Sequence, residues 1–572
     1  MIKINNLYQQ WLEETKTVPD LHQELVSIAN DQDEIAERFY KNLEFGTAGL
    51  RGVLGAGSNR MNIFTVNQVT QGLAQYLKAE HGRASVSIAY DSRINSELFA
   101  KESAGVLAAN GIKVFIYREL MPTPMLSFAV RRLGCQSGII ITASHNPAEY
   151  NGYKCYDPQG YQMTDEAARK TYEFIQKTDI FKDVKTMAFE EALASGLVEY
   201  IGEQIIEEFY ELTLAQRVRP ALPEIGDLKV IYSPLHGAGN KPVREIFKRM
   251  GLKDVKVVPE QEKPDGNFPT APYPNPEIRQ AFECAIKLAQ EEAADLLLAT
   301  DPDCDRVGIA VYDDGEYKLL SGNEVAALLT HYILKSKKAG GNLSQKPLVI
   351  KSFVTTDLIE AIADDYACQT VNLLTGFKYI GEYITELEKT NQSDRFVLAM
   401  EESYGYLAGT HARDKDAVGA SMLICEMAAF YKAQAKNLVE VMQGIYEKYG
   451  FYENKVLNFA FEGKSGMLKM QELMEALRKT PLKNIAGLDV LEFSDYKEGF
   501  IEDLKSRGRR PIGLPKANVV AFKLPAGNSL IVRPSGTEPK LKIYITAKAQ
   551  SREEARALAG EMGRSVGELM GL

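Results

Sequence analysis

From about residue 60 to 450, short and nearly continuous apolar runs alternate with longer stretches of helical periodicity. The run SVSIAYD (85–91) precedes the helical pattern LFAKESAGVLAANG (98–111), and IKVFIYREL (112–120) follows it. Further apolar runs are GIIITA (138–143), LKVIYSP (228–234), ADLLLATD (294–301), PLVIKSF (347–353) and FVLAME (396–401), with a helical DLIEAIADDYA (357–367) between the last two. Strands this apolar on both faces belong to mostly parallel sheets covered by helices on either side. Ligands in such sheets bind in the loops beyond strand C-termini. Chemistry is therefore expected just after these runs.

The last part of the chain has another rhythm. NVVAFKL (518–524), a turn at PAGNS and the stretch LIVRPSGTEPKLKIYITAKA lead to Leu541, Ile543, Ile545 and Ala547, which alternate with polar residues. That period of two buries one face of a strand and exposes the other. A closing helix is predicted over 552–570, with Leu558, Met562 and Val566 on one stripe. This is an α+β arrangement, read as a separate C-terminal domain. The Pro/Gly-rich segments KPDGNFPTAPYPNP (263–276) and SRGRRPIGLPK (506–516) read as surface connections.

The length of 572 residues gives a prior of about four domains. Hydrophobic residues at 45% and charged residues at 25% are ordinary for a globular protein, and a net charge of −10 offers no global attraction to nucleic acid or an acidic membrane surface. The opening MIKINNLYQQWLEET lacks the apolar core of a signal peptide, and no apolar run is long enough to span a bilayer. The cysteines at 135, 155, 284, 304, 368 and 425 form no CxxC pair, so reduced thiols and a cytoplasmic location are expected, without a structural zinc.

Three segments carry the chemistry. TASHNP (142–147) follows the strand GIII and presents Ser144 at a strand end, outside any G-x-S-x-G elbow. In an extended segment the His145 side chain would point away from that of Ser144, and the hexapeptide alone also suits an ordinary turn. DPDCDR (301–306) follows ADLLLAT and places Asp301, Asp303 and Asp305 at i, i+2, i+4, all on one side of an extended segment. Such carboxylates hold protons at neutral pH unless a cation compensates them; hard oxygen ligands at a strand end suit Mg²⁺, the alternative being a solvated acidic turn. The glycine and closing glutamate of an EF-hand loop are missing. RPSGTEP (533–539) offers the Arg533 fork together with Ser535, Gly536 and Thr537 in a turn that suits either a phosphate or a plain hairpin. Weaker signals are FGTAGLRG (45–52), a glycine-rich loop ending in Arg51, and MEESYGY (400–406), with Glu401 and Ser403 at a strand end.

Together and in this order, FGTAGLRG, TASHNP, DPDCDR, MEESYGY and RPSGTEPK resemble the signatures of the α-D-phosphohexomutases, a family that includes phosphoglucomutases and phosphomannomutases. YDSR (90–93), PTP (122–124), NGYK (151–154), PDGNFP and TGFK (375–378) fit as well, so the resemblance spans 45 to about 545. It implies an α/β fold of three similar mixed or parallel-sheet domains plus a C-terminal α+β domain around a central cleft. The expected divisions are 1–208 with the phosphoserine loop, 209–320 with the metal loop, 321–450 with the sugar loop and 451–572 with the phosphate loop.

The resemblance also implies roles. Ser144 corresponds to the phosphoserine, and Asp301, Asp303 and Asp305, with the phosphate on Ser144, to the Mg²⁺ ligands. Arg51 and Arg306 steady the transferring phosphoryl group, Lys154 is the acid/base, and His145 joins them as a catalytic candidate. Thr375, Lys378, Glu401, Ser403 and Lys415 bind the sugar, and Arg533, Ser535, Gly536 and Thr537 the non-reacting phosphate. The implied reaction interconverts glucose 1-phosphate and glucose 6-phosphate through glucose 1,6-bisphosphate, in a monomer or weak homodimer whose partners are sugar phosphates. Alternatives are a mannose or pentose phosphate substrate, or a sugar-bisphosphate synthase. Where many members read Ser-Gly-His in the sugar loop, this chain reads Ser403-Tyr404-Gly405-Tyr406, closer to the longer glucomutase and pentomutase branch.

Overall fold

The computed structural model describes residues 2–46, 49–461, 463–534 and 540–571. The chain folds into two compact units: Met1–Leu320, Ile380–Ser393 and Tyr404–Ala435 form the first, and Ser321–Tyr379, Asp394–Ser403 and Lys436–Leu572 the second.

The first unit is built on two mixed sheets. Its six-stranded sheet runs Gly49–Val53, Tyr150–Tyr156, Ser137–Ile141, Ser85–Tyr90, Lys113–Ile116, Val198–Tyr200. The first two pairings are antiparallel and the rest parallel. Helices Ile63–His81, Ser96–Ala109 and Asp165–Lys177 bury Val66, Leu73, Phe99, Leu107 and Ile175 with Val86, Ile88, Ile139 and Ile141 in one core. The five-stranded sheet runs Glu316–Leu320, Val307–Asp313, Leu296–Thr300, Lys229–Ser233, Asp254–Val257, antiparallel at its first two pairings and parallel at the last two. Every residue of Ser137–Ile141 and of Leu296–Thr300 is buried, which explains their uninterrupted apolar character.

Three helices at the N-terminus, Ile2–Glu14, Pro19–Ser27 and Gln32–Phe39, carry no chemical motif. Trp11 is fully buried among Phe39, Phe64 and Phe181 in edge-to-face contacts of 5.3–5.9 Å. Arg38 pairs with Glu24 and Glu34 and donates to the Ala56 carbonyl, while Glu24 accepts from the Ala56 nitrogen. The helices thus brace the turn that follows strand Gly49–Val53.

In the second unit, strands Gln369–Leu373, Leu348–Ser352 and Phe396–Glu401 pair in parallel, with Leu348–Ser352 in the middle. A seven-stranded antiparallel sheet follows the order Phe451–Ala460, Lys540–Ala549, Ser529–Pro534, Val520–Lys523, Glu492–Asp495, Phe500–Asp503, Arg509–Pro511. Leu541, Ile543, Ile545 and Ala547 line its buried face as their alternation requires, and the closing helix spans Arg552–Met570. The segment 506–516 is more than a connection, because Arg509–Pro511 pairs at the sheet edge. A proline is tolerated there since an edge leaves its missing donor unneeded. No helix among the described residues is long and apolar enough to cross a membrane, and all six cysteines are free.

Candidate active site

Strand Ser137–Ile141 ends at Thr142, and Ser144 then takes a left-handed conformation with φ 52°. The sharp turn is fixed by the Ser144 nitrogen donating to Thr142 Oγ1 at 2.8 Å. The hydroxyl of Ser144 donates to Asp301 Oδ2 at 2.8 Å and lies 3.1 Å from His145 Nδ1. The extended geometry expected at this point, with the two side chains on opposite faces, is corrected here: the positive φ swings the imidazole to the serine's own side. Burial, reinforced by the charges of Arg306 and Arg51, holds the His145 pKa well below 6.5. The ring is therefore neutral at pH 7, with one nitrogen free to accept a hydrogen bond.

The three aspartates also meet by a turn, where extended spacing was expected. After Leu296–Thr300 the chain doubles back through Cys304 at φ 51° into strand Val307–Asp313. Asp301 Oδ1 accepts from the nitrogens of Asp305 and Arg306 at 3.1 and 3.0 Å, closing the turn. One oxygen from each of Asp301, Asp303 and Asp305 lies within 4.8 Å of the others, and all three residues are buried.

Their surroundings divide the labour. Asp303 Oδ2 accepts from Lys154 Nζ at 2.9 Å and from Thr123 Oγ1 at 3.0 Å. Burial pushes its pKa up, but the Lys154 charge and these hydrogen bonds outweigh it and hold the carboxylate below its usual range. Asp301 is driven the other way, by burial first and then by the charges of Asp303 and Asp305. Asp305 Oδ2 lies 3.1 Å from Lys415 Nζ. Asp303 Oδ1 and Asp305 Oδ1 are buried with no hydrogen-bond partner. Two unsatisfied carboxylate oxygens facing a third carboxylate are costly unless a cation joins them. The donor set, all hard oxygens, suits a divalent cation such as Mg²⁺.

The other candidates of the first unit lie on the strands and loops near this cluster. Lys154 lies in strand Tyr150–Tyr156 and is largely buried. Arg51 belongs to a strand: Gly49–Val53 pairs antiparallel with Tyr150–Tyr156, Arg51 opposite Gly152, and its guanidinium donates to Asn146 Oδ1 of the serine loop at 3.2 Å. The glycine-rich loop expected there is thus a strand at its C-terminal end, because the pairing partner lies about 100 residues away and local sequence does not reveal it. Arg306 pairs with Glu277 at 2.7 Å and approaches Asp305 at 3.7 Å. Lys415 also contacts Asp414, which the Tyr156 hydroxyl holds at 2.6 Å. A Cβ at Gly405 would sit 2.1 Å from Lys415 Cδ, so the Ser403-Tyr404-Gly405-Tyr406 variant leaves room for this lysine.

In the second unit, Glu401 is buried at the end of Phe396–Glu401 and its Oε1 accepts from the Gly376 nitrogen at 2.8 Å. This ties Glu401 to the TGFK turn. Thr375 Oγ1 in that turn is buried with no hydrogen-bond partner. Lys378 lies 5.2 Å over the Tyr379 ring, and Ser403 is half-buried. Arg533 lies in strand Ser529–Pro534, and its charge opposes the rise that burial gives the Tyr544 hydroxyl's pKa. Ser535, Gly536 and Thr537 lie outside the described residues. Thr123 and Arg93 were given no role by the sequence; PTP and YDSR marked their neighbourhoods, but a turn motif does not say which backbone atoms it serves.

Family models for the phosphoglucomutase/phosphomannomutase α/β/α domains I, II and III and for the C-terminal domain match residues 42–181, 208–315, 321–449 and 460–564. The chain belongs to the phosphoglucomutase/phosphomannomutase family. It is accordingly an enzyme of the phosphohexomutase type, an isomerase. Within the family it is 36% identical over 515 residues to a phosphoglucomutase of Staphylococcus saprophyticus, with 90% of this chain and 92% of that protein covered. It is 35% identical over 523 residues to one of Staphylococcus aureus, with the same coverage. The phosphohexomutase fold recurs in solved structures of parafusin, a phosphoglucomutase from Paramecium, in an open form (TM-score 0.68, 17% identity, 93% of this chain and 96% of that one). It recurs also in a phosphoglucomutase/phosphomannomutase family protein from Burkholderia thailandensis (TM-score 0.64, 18% identity, 92% and 97%).

Proposed function

We propose that this phosphohexomutase is a phosphoglucomutase, interconverting α-D-glucose 1-phosphate and glucose 6-phosphate by way of a phosphoserine and glucose 1,6-bisphosphate. The observation that carries the reading is the Ser144 hydroxyl held 2.8 Å from a buried triad of aspartates with unsatisfied oxygens. Relatives at 34–36% identity that bear the name phosphoglucomutase support glucose as the sugar. We assign the phosphoserine loop to a domain 1–208, the metal loop to 209–320, the sugar loop to 321–450 and the distal phosphate loop to 451–572. Free thiols throughout suit a reducing cytoplasm.

Phosphoryl transfer asks the protein for positioning and charge neutralisation more than for covalent chemistry. Asp301, Asp303 and Asp305 are the residues that would hold Mg²⁺. When bound, Mg²⁺ neutralises charge on the transferring phosphoryl group and orients it. Ser144 Oγ carries that group, giving it to the sugar's free hydroxyl and taking the other phosphate back from the bisphosphate. In each half-reaction one P–O bond breaks as one forms, and a proton leaves the attacking hydroxyl. Lys154, poised on Asp303, exchanges that proton with the sugar oxygen, and the neutral His145 ring serves the Ser144 hydroxyl. Arg51 and Arg306 steady the phosphoryl oxygens. Glu401, Ser403, Thr375, Lys378 and Lys415 bind sugar hydroxyls and Arg533 with Ser535, Gly536 and Thr537 the resting phosphate, in both orientations of the bisphosphate. Kinetics of purified protein across glucose, mannose, glucosamine and ribose phosphates, with and without glucose 1,6-bisphosphate, test the reading. A higher kcat/KM for another sugar would replace glucose, and net bisphosphate synthesis would replace the mutase.

A further inference from the structure

Arg93 lies in the YDSR turn, outside every role so far described. Its side chain is completely buried. One terminal nitrogen, Nη2, donates to the carbonyls of Ser144, at 2.5 Å, and Asn146; the other, Nη1, donates to those of Pro147 and Tyr150 at 2.8 and 3.0 Å. A single guanidinium thus gathers four carbonyls of the serine loop, including that of the reacting residue and that of Tyr150, which opens the strand carrying Lys154. The rigid, planar guanidinium therefore fixes several main-chain acceptors of this loop relative to one another.

The arginine is itself clamped from two sides. On its own turn, Asp91 lies 3.5 Å from Nε, while Asp91 Oδ1 accepts from the Arg93 nitrogen at 3.0 Å and from Ser96 Oγ at 2.7 Å. From the opposite side comes the PDGNFP segment. The guanidinium carbon sits 5.0 Å over the ring of Phe268, which is fully buried in a left-handed conformation at φ 47°. A Cβ at Gly266 would fall 2.4 Å from the Ile94 nitrogen, so the two backbones touch and only glycine fits there. The same segment leads back to the metal loop: Asp265 donates from its nitrogen to the His236 carbonyl, and two residues on Ala238 donates to the Pro302 carbonyl at 2.8 Å. One continuous set of contacts therefore joins the loop that presents Ser144 to the loop that presents Asp301, Asp303 and Asp305.

We propose that Arg93, seated on Phe268, is a positioning residue for phosphoryl transfer: it sets the Ser144 hydroxyl and the Lys154 strand in register with the aspartate cluster. The proposal rests on the mutase reading. A lysine at 93 keeps the charge but, with three donors on one atom and no plane, cannot span the four carbonyls or stack on the ring. Sugar and distal phosphate are bound by other residues, so the register should matter for turnover and not for substrate affinity.

The test is steady-state kinetics of Arg93→Lys and Phe268→Leu beside the wild type, with saturating glucose 1,6-bisphosphate and Mg²⁺, on variants whose circular dichroism matches the wild type. Arg93→Lys should lower kcat by about 100-fold, the effect of displacing reacting groups by about an ångström, with KM within about threefold of wild type. Phe268→Leu should lower kcat in the same direction by about tenfold, consistent with loss of a desolvated cation–π contact. A folded Arg93→Lys with wild-type kcat overturns the proposal, as does a raised KM at unchanged kcat, which would make Arg93 a substrate contact. Should Arg93→Lys fail to fold, Phe268→Leu decides by the same kcat criterion. A wild-type protein with no mutase turnover overturns the underlying reading, and the proposal with it; an active wild type with unaffected variants overturns the proposal alone.

Discussion

Replacing Asp305 by asparagine should remove most of the protein's stabilisation by Mg²⁺ while leaving the metal-free protein as stable as before. One oxygen from each aspartate lies within 4.8 Å of the others, and at that distance with an effective dielectric of about 20 two carboxylates repel by roughly 3.5 kcal/mol. The asparagine removes the repulsion of Asp305 with Asp303; Asp301, driven toward its neutral form by burial and by its two neighbours, adds little. It gives up the charge in the pair with Lys415 at 3.1 Å, a charged hydrogen bond of about 1.5–3 kcal/mol, and the longer contact with Arg306. The relief is at least as large as the loss. In EDTA the variant should therefore melt no lower than wild type. Adding Mg²⁺ at about 100 times its dissociation constant stabilises the wild type by about 2.7 kcal/mol, seen as a rise of a few degrees in Tm. The variant, short of one ligand charge and presenting an amide N–H to the cation, should rise by less than a third of that. Differential scanning calorimetry in EDTA and in Mg²⁺ reads both quantities, with Tm of the Mg²⁺-responsive transition as the observable. An equal Mg²⁺ rise in both proteins would refute the metal assignment, and a variant far less stable in EDTA would refute the claim that the aspartates repel.

Lys154→Gln should cut kcat by about 10²–10⁴-fold with little change in KM, since proton transfer is lost and sugar contacts remain; unchanged kcat in a folded variant would withdraw the acid/base role. Arg533→Ala should raise KM for glucose 1-phosphate about tenfold or more through loss of a charged hydrogen bond worth about 1.5–3 kcal/mol, while mass spectrometry still finds phosphate on Ser144; loss of the phosphoserine instead would move Arg533 to the chemical centre. His331, packed 6.3 Å from the Tyr366 ring with Nδ1 unpartnered, has its pKa lowered to about 4 by burial and by Lys335 and Lys448. The unfolded chain takes up the proton first, so this histidine withdraws stability as pH falls from about 6.5 to about 4, by roughly 1–3 kcal/mol at the end of that window. His331→Phe should flatten urea-denaturation midpoints across those pH values, and a variant with wild-type acid sensitivity would contradict this.

Much of the site can be read from the sequence because its parts are local. The aspartates of DPDCDR reach one cluster within six residues, and strand-end placement of Ser144 and Glu401 follows from the apolar runs before them. What could not be read depends on backbone torsion or distant pairing. Nothing in TASHNP announces the left-handed Ser144 that brings His145 to its side. The strand holding Arg51 exists only because residues 150–154 pair with it. The N-terminal helices escape motif reading, since Trp11 and Arg38 act by packing and by bracing the turn at Ala56. Arg93 stands in a motif that also describes an ordinary turn, and its four carbonyl partners lie more than 50 residues away.

The central claim is that Ser144 carries the phosphoryl group between the two ends of one glucose phosphate. Its most direct test is to incubate the purified protein with glucose 1,6-bisphosphate, map the phosphorylated peptide by mass spectrometry, then chase with unlabelled glucose 1-phosphate and follow glucose 6-phosphate formation. One phosphate per chain is expected on the peptide containing Ser144, discharged by the chase at a rate matching turnover, with no turnover in a folded Ser144→Ala variant. Phosphate found reproducibly on another residue, with Ser144→Ala still interconverting the two glucose phosphates, would contradict it.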